Sequence, residues 1–226
     1  MIAGLLAATN MAALDGAYIG AGVSVSKYSV EDRDGEKEKE NNNPISLFGG
    51  ATLSKFDGGA LRGEVSLFSK EKYRESYDYS WISWDQGCET TASLFGNLFV
   101  DFDVSPMFKP FIGVGLGFAK NKLSVYMKAT DMDFADRYYD IDKAYGSESG
   151  DDISLAYKFS LGVNLLAGQN FRFGIGWEYR NYGSLKTDYK YTLEDSQFSG
   201  GKLVETGTDK YGITSSGLIV NLAYLF

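Results

Sequence analysis

Apolar residues recur at every second position over eight separate stretches of this chain, and the last stretch runs to its final residue. From about Tyr211 to Phe226, one side of the repeat carries Leu218, Val220, Leu222, Tyr224 and Phe226. The other side carries Gly217, Asn221 and Ala223. A period of two sends alternate side chains to opposite faces of an extended strand. The pattern therefore demands strands with one apolar face and one small or polar face. No stretch approaches the ~20 consecutive apolar residues of a spanning helix.

The other seven stretches obey the same rule. The first, about Asp15 to Tyr28, sets Ala17, Ile19, Ala21, Val23 and Val25 against Tyr18, Gly20, Gly22, Ser24 and Ser26. The second, about Ile45 to Lys55, meets the third, Ala60 to Lys70, through Phe56-Asp57-Gly58-Gly59, a tight-return composition. The fourth, about Thr91 to Phe102, precedes the turn Asp103-Val104-Ser105-Pro106. The fifth, Phe108 to Ala119, alternates Ile112, Val114, Leu116 and Phe118 with Gly113, Gly115 and Gly117, leaving room for larger side chains from the opposite wall of a narrow barrel. The sixth, Ile153 to Leu165, and the seventh, Phe171 to Tyr182, flank Ala167-Gly168-Gln169-Asn170.

Connections are short after the second, fourth and sixth stretches. They are long after the first (Ser29 to Pro44), third (Glu71 to Thr90), fifth (Lys120 to Asp152) and seventh (Gly183 to Lys210). Short turns at one end and long polar loops at the other are the asymmetry of a barrel that crosses a membrane. The segments run about 10 to 14 residues, the terminal one slightly more, against the ~9 to 11 that a tilted strand needs to cross a bilayer. A soluble up-and-down barrel shares the strand pattern but turns its apolar face inward around a ligand, and such a protein would stay in solution without detergent. The charges separate the two cases. In the membrane case Arg62, Glu64, Asp101, Lys158, Arg172, Glu178 and Arg180 point into the lumen, where opposite charges pair. The outward set is almost uniformly Ala, Gly or large and apolar, with aromatic residues near the segment ends, as a lipid-facing surface requires. The expected fold is all-β: an eight-stranded antiparallel up-and-down transmembrane β-barrel with four long extracellular loops and short periplasmic turns.

Composition agrees, with 44% hydrophobic and 15% aromatic residues and 27 Gly against 3 Pro in 226 residues, a strand-and-turn balance for one domain. The net charge of −8 repels phosphate backbones, so no nucleic-acid partner is expected. The same acidity argues against a polybasic contact with lipid headgroups. Cys88, the single cysteine, has no disulfide partner within the chain and reads as an incidental thiol. Residues 1–14 read as a signal-peptide remnant without its basic start, with cleavage near Ala13, leaving 15–226 as the barrel.

Phe108-Lys109-Pro110-Phe111-Ile112-Gly113-Val114-Gly115-Leu116-Gly117-Phe118 resembles a recurrent strand of the small opacity-protein and OmpA-like bacterial outer-membrane barrels. Tyr157-Lys158-Phe159 through Gly162-Val163, and Trp177-Glu178-Tyr179-Arg180, resemble the strands that follow it. The terminal Leu222, Tyr224 and Phe226 resemble the assembly signal that the barrel-insertion machinery reads in such proteins. The resemblance implies an eight-stranded surface protein in the bacterial outer membrane, with its loops exposed at the cell surface and with outer-membrane lipid and lipopolysaccharide as neighbours. It implies adhesion, surface interaction or antigenic display at the loops, with a host or surface ligand as partner, and a monomer. The peptidoglycan-binding domain that follows the barrel in full-length OmpA-type proteins is not matched.

The chain has no histidine, so Ser-His and Asp-His chemistry and imidazole metal sites are excluded. Asp85 with Glu89, or Asp131 with Asp133, are the nearest carboxylate pairs, and both read as solvated loop acids. Asp131-Met132-Asp133 and Asp151-Asp152 lack the spaced ligands and turn glycine of a Ca²⁺ loop. No catalytic, cofactor-binding or metal residue is expected. An eight-stranded lumen is about wide enough for side chains alone, so a plugged barrel is expected, with a narrow channel for small or hydrophobic solutes as the alternative. Inward Phe48, Phe68, Phe95 and Phe99 serve either case, as a plug or as an apolar pocket. Tyr73, Tyr77, Tyr79, Trp81 and Trp84 cluster in the second long loop, where they are candidates for ligand contact or for packing on neighbouring loops.

Overall fold

A computed structural model describes residues 16–31, 35–78, 82–133, 140–194 and 202–226. The strands are β1 (Tyr18–Glu31), β2 (Lys37–Asn42), β3 (Ile45–Phe56), β4 (Gly59–Phe68), β5 (Glu71–Asp78), β6 (Ile82–Phe102), β7 (Phe108–Asp133), β8 (Asp140–Ala167), β9 (Phe171–Glu194) and β10 (Lys202–Leu225). Every neighbour pairs antiparallel, in the order β1-β3-β4-β6-β7-β8-β9-β10, and β10 returns to β1 from Tyr18↔Leu225 to Glu31↔Gly212. The sheet closes on itself.

Among the described residues ten strands stand where eight were expected, because two staves of the wall are each built from two strands. β3 and then β2 lie beside β1, and β4 and then β5 lie beside β6. The first break falls at Pro44, which has no N–H to give a ladder, although its carbonyl accepts from Ser24 at 3.0 Å. At the second break Ser69 donates its N–H to the Ile45 carbonyl at 2.8 Å and accepts the Ile45 N–H on its hydroxyl, also at 2.8 Å.

The long connections expected as loops are largely strand. β7 and β8 pair from Phe108↔Leu165 out to Asp133↔Asp140, and β9 and β10 pair out to Glu194↔Lys202. The cause is a second alternating pattern whose polarity is reversed. In the lower part of the wall, large apolar residues face outward, with Val25 65%, Leu116 67% and Leu155 67% exposed, while serines, asparagines and charges fill the inside. Beyond that band the outward positions become Lys120, Lys122, Ser124, Lys186 and Asp188. Inward lie Val30, Leu123, Val125, Leu185 and Ile213, all buried. The lower band is built to face lipid and the upper collar to face water over an apolar core.

Two irregularities adjust the facing of side chains between these zones. The β9–β10 ladder shifts register between Gly212 and Thr214, opposite Gly183, whose φ of 80° is a left-handed value open to glycine. The β6–β7 ladder shifts between Thr90 and Ala92. Each bulge changes which parity points inward, so Tyr182 and Leu185 both reach the core from one strand.

Candidate functional site

The inside of the barrel is occupied by three stacked polar clusters. At the short-turn end, Arg62 of β4 grips Asp101 of β6 with two parallel bonds, Nε to Oδ2 at 2.9 Å and Nη2 to Oδ1 at 3.2 Å. Its Nη1 donates to the Tyr18 hydroxyl at 2.7 Å and to Glu64 at 3.1 Å. The Tyr18 hydroxyl in turn donates to Glu64 at 3.0 Å. Asn164 donates to Asp101 at 3.2 Å, and the Arg172 guanidinium lies 3.9 Å from the Tyr18 ring centre. Charge-assisted, bidentate bonds of this kind are the strong ones.

One layer further in, Lys158 and Ser160 of β8 both donate to Glu178 Oε1 at 3.1 Å. Glycine beside aromatic residues fills the remaining width. An added Cβ on Gly113 would lie 2.3 Å from the Phe99 ring, and one on Gly162 would lie 2.8 Å from Phe111. In both cases the ring comes from the adjacent strand, paired Phe99↔Gly113 and Phe111↔Gly162; for Gly113 a side chain from the opposite wall was expected instead.

The third cluster centres on Glu71, the first residue of β5. Its Oε1 accepts from Ser26 at 2.6 Å and Ser215 at 2.8 Å, and its Oε2 accepts from Tyr182. Arg180 Nη1 lies 3.3 Å from Oε2, an electrostatic contact without hydrogen-bond geometry, and Nη2 reaches Ser24 at 3.2 Å. A hydroxyl chain closes the top. Thr90 donates to Asn121 at 2.8 Å, so Tyr28 donates to Thr90 across 3.1 Å, while Asn121 donates to the Tyr182 carbonyl at 2.8 Å. Above it pack Tyr73, Cys88, Leu123, Leu185 and Ile213. A void of about 20 Å³ among Arg62, Lys158, Glu178 and Asn221 is room for about one water.

All seven charges singled out from the sequence face this interior. Six side chains or residues are buried outright, and Glu64, half-buried as a residue, exposes 8% of its side chain. Glu71 was missed, because it opens what looked like a loop. The signal was the unequal count of the expected set: four cations (Arg62, Lys158, Arg172, Arg180) against three carboxylates (Glu64, Asp101, Glu178). Phe48, Phe68, Phe95 and Phe99 are all buried between the polar layers.

The aromatic set divides. Tyr73 is 5% exposed, which corrects its assignment as a loop contact. It stands opposite Cys88 on the inward side of β5 and donates its hydroxyl to Glu75. Tyr77 is 47% exposed, Trp84 is half-buried against the collar core, and Tyr79 and Trp81 lie outside the described residues. Leu222, Tyr224 and Phe226 face outward, at 45%, 43% and 53% exposure. Asp85 is held by Arg74 at 3.0 Å and Glu89 by Lys70. Asp151 lies 3.4 Å from Lys120, and Asp152 caps the Ile153 N–H at 2.7 Å. The side chains of Asp131 and Asp133 are outside the described set, as are residues 1–15 with the expected signal remnant. No group of metal-ligating side chains occurs among the described residues, and none of their helices is long and apolar enough to cross a membrane.

Burial in the collar pushes the Cys88 thiol up to about 12. The hydroxyls of Tyr73 and Tyr77 hold the Glu75 carboxyl below its ordinary value.

A closed strand wall, apolar outside and charged inside over its lower band, defines a transmembrane β-barrel. The family model described as outer membrane protein beta-barrel domain matches residues 1–213, and the chain belongs to that family. Its place is the bacterial outer membrane. No curated protein matches it by sequence. Among solved structures it is similar to Neisserial surface protein A, with 16% identity over 94% of this chain and 98% of that one and a TM-score of 0.49. It is also similar to OprG from Pseudomonas aeruginosa (14%, 94% and 97%, TM-score 0.47). A third similar structure is Ail, the attachment invasion locus protein of Yersinia pestis (16%, 94% and 100%, TM-score 0.43).

Proposed function

We propose that this protein is a non-enzymatic surface barrel that does not conduct solutes and that meets ligands through its outer collar and hairpins, in adhesion, surface interaction or antigenic display. The filled lumen carries this reading. Three layers of paired side chains cross it, and the void among Arg62, Lys158, Glu178 and Asn221 is about 20 Å³, room for about one water. The short-turn end, where the Phe226 N–H donates to the Ala17 carbonyl at 3.0 Å, is assigned to the periplasm, and the collar to the cell surface. Tyr77, Tyr79, Trp81 and Trp84 are then the aromatic candidates for contact with a host or surface ligand, presented by a monomer. Absence of histidine and the cation held against each of Asp85 and Glu89 support a role without catalysis.

Planar-bilayer recording of the refolded chain tests the sealed lumen. The expected trace is flat at neutral pH. Steady, ion-selective openings would replace the plugged barrel with the narrow-channel alternative.

A further inference from the structure

The collar's outer surface is not uniformly acidic. Across β5, β6 and β7 a hollow of about 310 Å³ opens over Gly87. Gly87 stands between Arg74 on β5 and Ser124 on β7, and Glu89 stands between Lys72 and Lys122. A Cβ on Gly87 would meet only the Ser124 hydroxyl, at 3.6 Å, so the missing side chain makes the floor. Four cations (Lys70, Lys72, Arg74, Lys122) and two carboxylates (Asp85, Glu89) line the hollow, a local excess of positive charge on a chain of net −8. Lys70 and Arg74 each have a carboxylate partner, whereas no described carboxylate pairs with Lys72 or Lys122.

Height decides the ligand. Lys122 lies four residues beyond outward Phe118 and Lys70 three beyond outward Leu67, both on the apolar band. At ~3.3 Å per residue on tilted strands, the hollow sits roughly 10 Å above the last lipid-facing side chains. That is the headgroup layer. A guanidinium and two ammonium groups around a hydroxyl and an open floor suit a tetrahedral anion.

We infer that this hollow seats a phosphate of the phosphorylated glycolipid in the outer leaflet. The inference rests on the outward orientation of the collar given above. Surface biotinylation of intact cells tests that orientation separately, since binding in micelles does not depend on it.

The test uses the full refolded chain in zwitterionic micelles, with bisphosphorylated lipid A as probe and native mass spectrometry as readout. Binding is expected to weaken at least tenfold with fully dephosphorylated lipid A and in the Lys72→Gln/Arg74→Gln/Lys122→Gln variant. Gly87→Leu, which fills the floor and keeps every charge, should weaken it as well. Lys186→Gln/Lys190→Gln/Lys210→Gln, which removes equal charge from β9 and β10, should bind like the parent. Equal loss in both triple variants would reduce the effect to diffuse charge. Full competition by millimolar inorganic phosphate would make this a soluble-anion site. Either result overturns the inference, as does indifference to the lipid's phosphates. A heat-modifiable gel band certifies that each variant is folded.

Discussion

Arg180 and Glu71 expose no side-chain surface at all, so each makes the other's burial tolerable. Removing one leaves an uncompensated charge, which costs far more than the net worth of the pair. Glu71→Ala is expected to destabilise the barrel by about 3 kcal/mol, read as a lower urea midpoint of the heat-modifiable band. Glu71→Ala combined with Arg180→Met should recover much of that loss, and a double variant as weak as the single one would contradict the pairing. Cys88 supplies a pH test at the same scale. Its thiol is raised from 9 to about 12 by burial, so the folded state holds a proton that the unfolded state has lost between those values. The stability it contributes is fully present below pH 9 and falls as pH rises through that window. Folded protein should therefore resist iodoacetamide at pH 9 and react on unfolding; rapid labelling of the native barrel would show that the thiol is open. The sequence revealed neither role, because Glu71 and Cys88 sit in polar surroundings and only the register of β5 against β6 turns them inward.

At the scale of elements, β2 and β5 are the two strands that do not share a backbone ladder, although they face each other across the collar wall. Asn42 substitutes for the ladder, donating to the Lys72 carbonyl at 2.7 Å and accepting the Lys72 N–H at 3.0 Å. Glu40 accepts the Arg74 N–H at 2.8 Å. An exposed strand edge is open to new partners and to proteolysis. Asn42→Ala should hasten trypsin cleavage after Lys72 and Arg74, with the lower barrel left intact; an unchanged cleavage rate would mean that Glu40 alone holds the seam. The eight stretches were legible because each alternates with the same polarity. The hairpin extensions were not, since Lys120-Asn121-Lys122-Leu123-Ser124-Val125 alternates with the opposite polarity and reads as a polar loop until Leu123 and Val125 are seen inside.

For the whole molecule, the proposed assembly signal lies at an end that makes few contacts of its own. Phe226 makes a backbone bond to Ala17 and an edge contact with Tyr224, with ring centres 5.5 Å apart. If this end is the signal for insertion, deleting Phe226 should abolish the heat-modifiable band in the outer-membrane fraction of cells while refolding into micelles in vitro persists. Normal assembly of the truncated chain would remove that role. The sequence by itself determined the class of fold, the lipid-facing surface and seven of the lumen charges, because a two-residue period is a local property that backbone geometry converts directly into faces. Tertiary structure alone decided which charges meet, that Glu71 is buried against Arg180, that Tyr73 is core and that Lys72, Arg74 and Lys122 share a hollow. Those facts follow from register between strands distant in sequence, and closure of the barrel fixes that register.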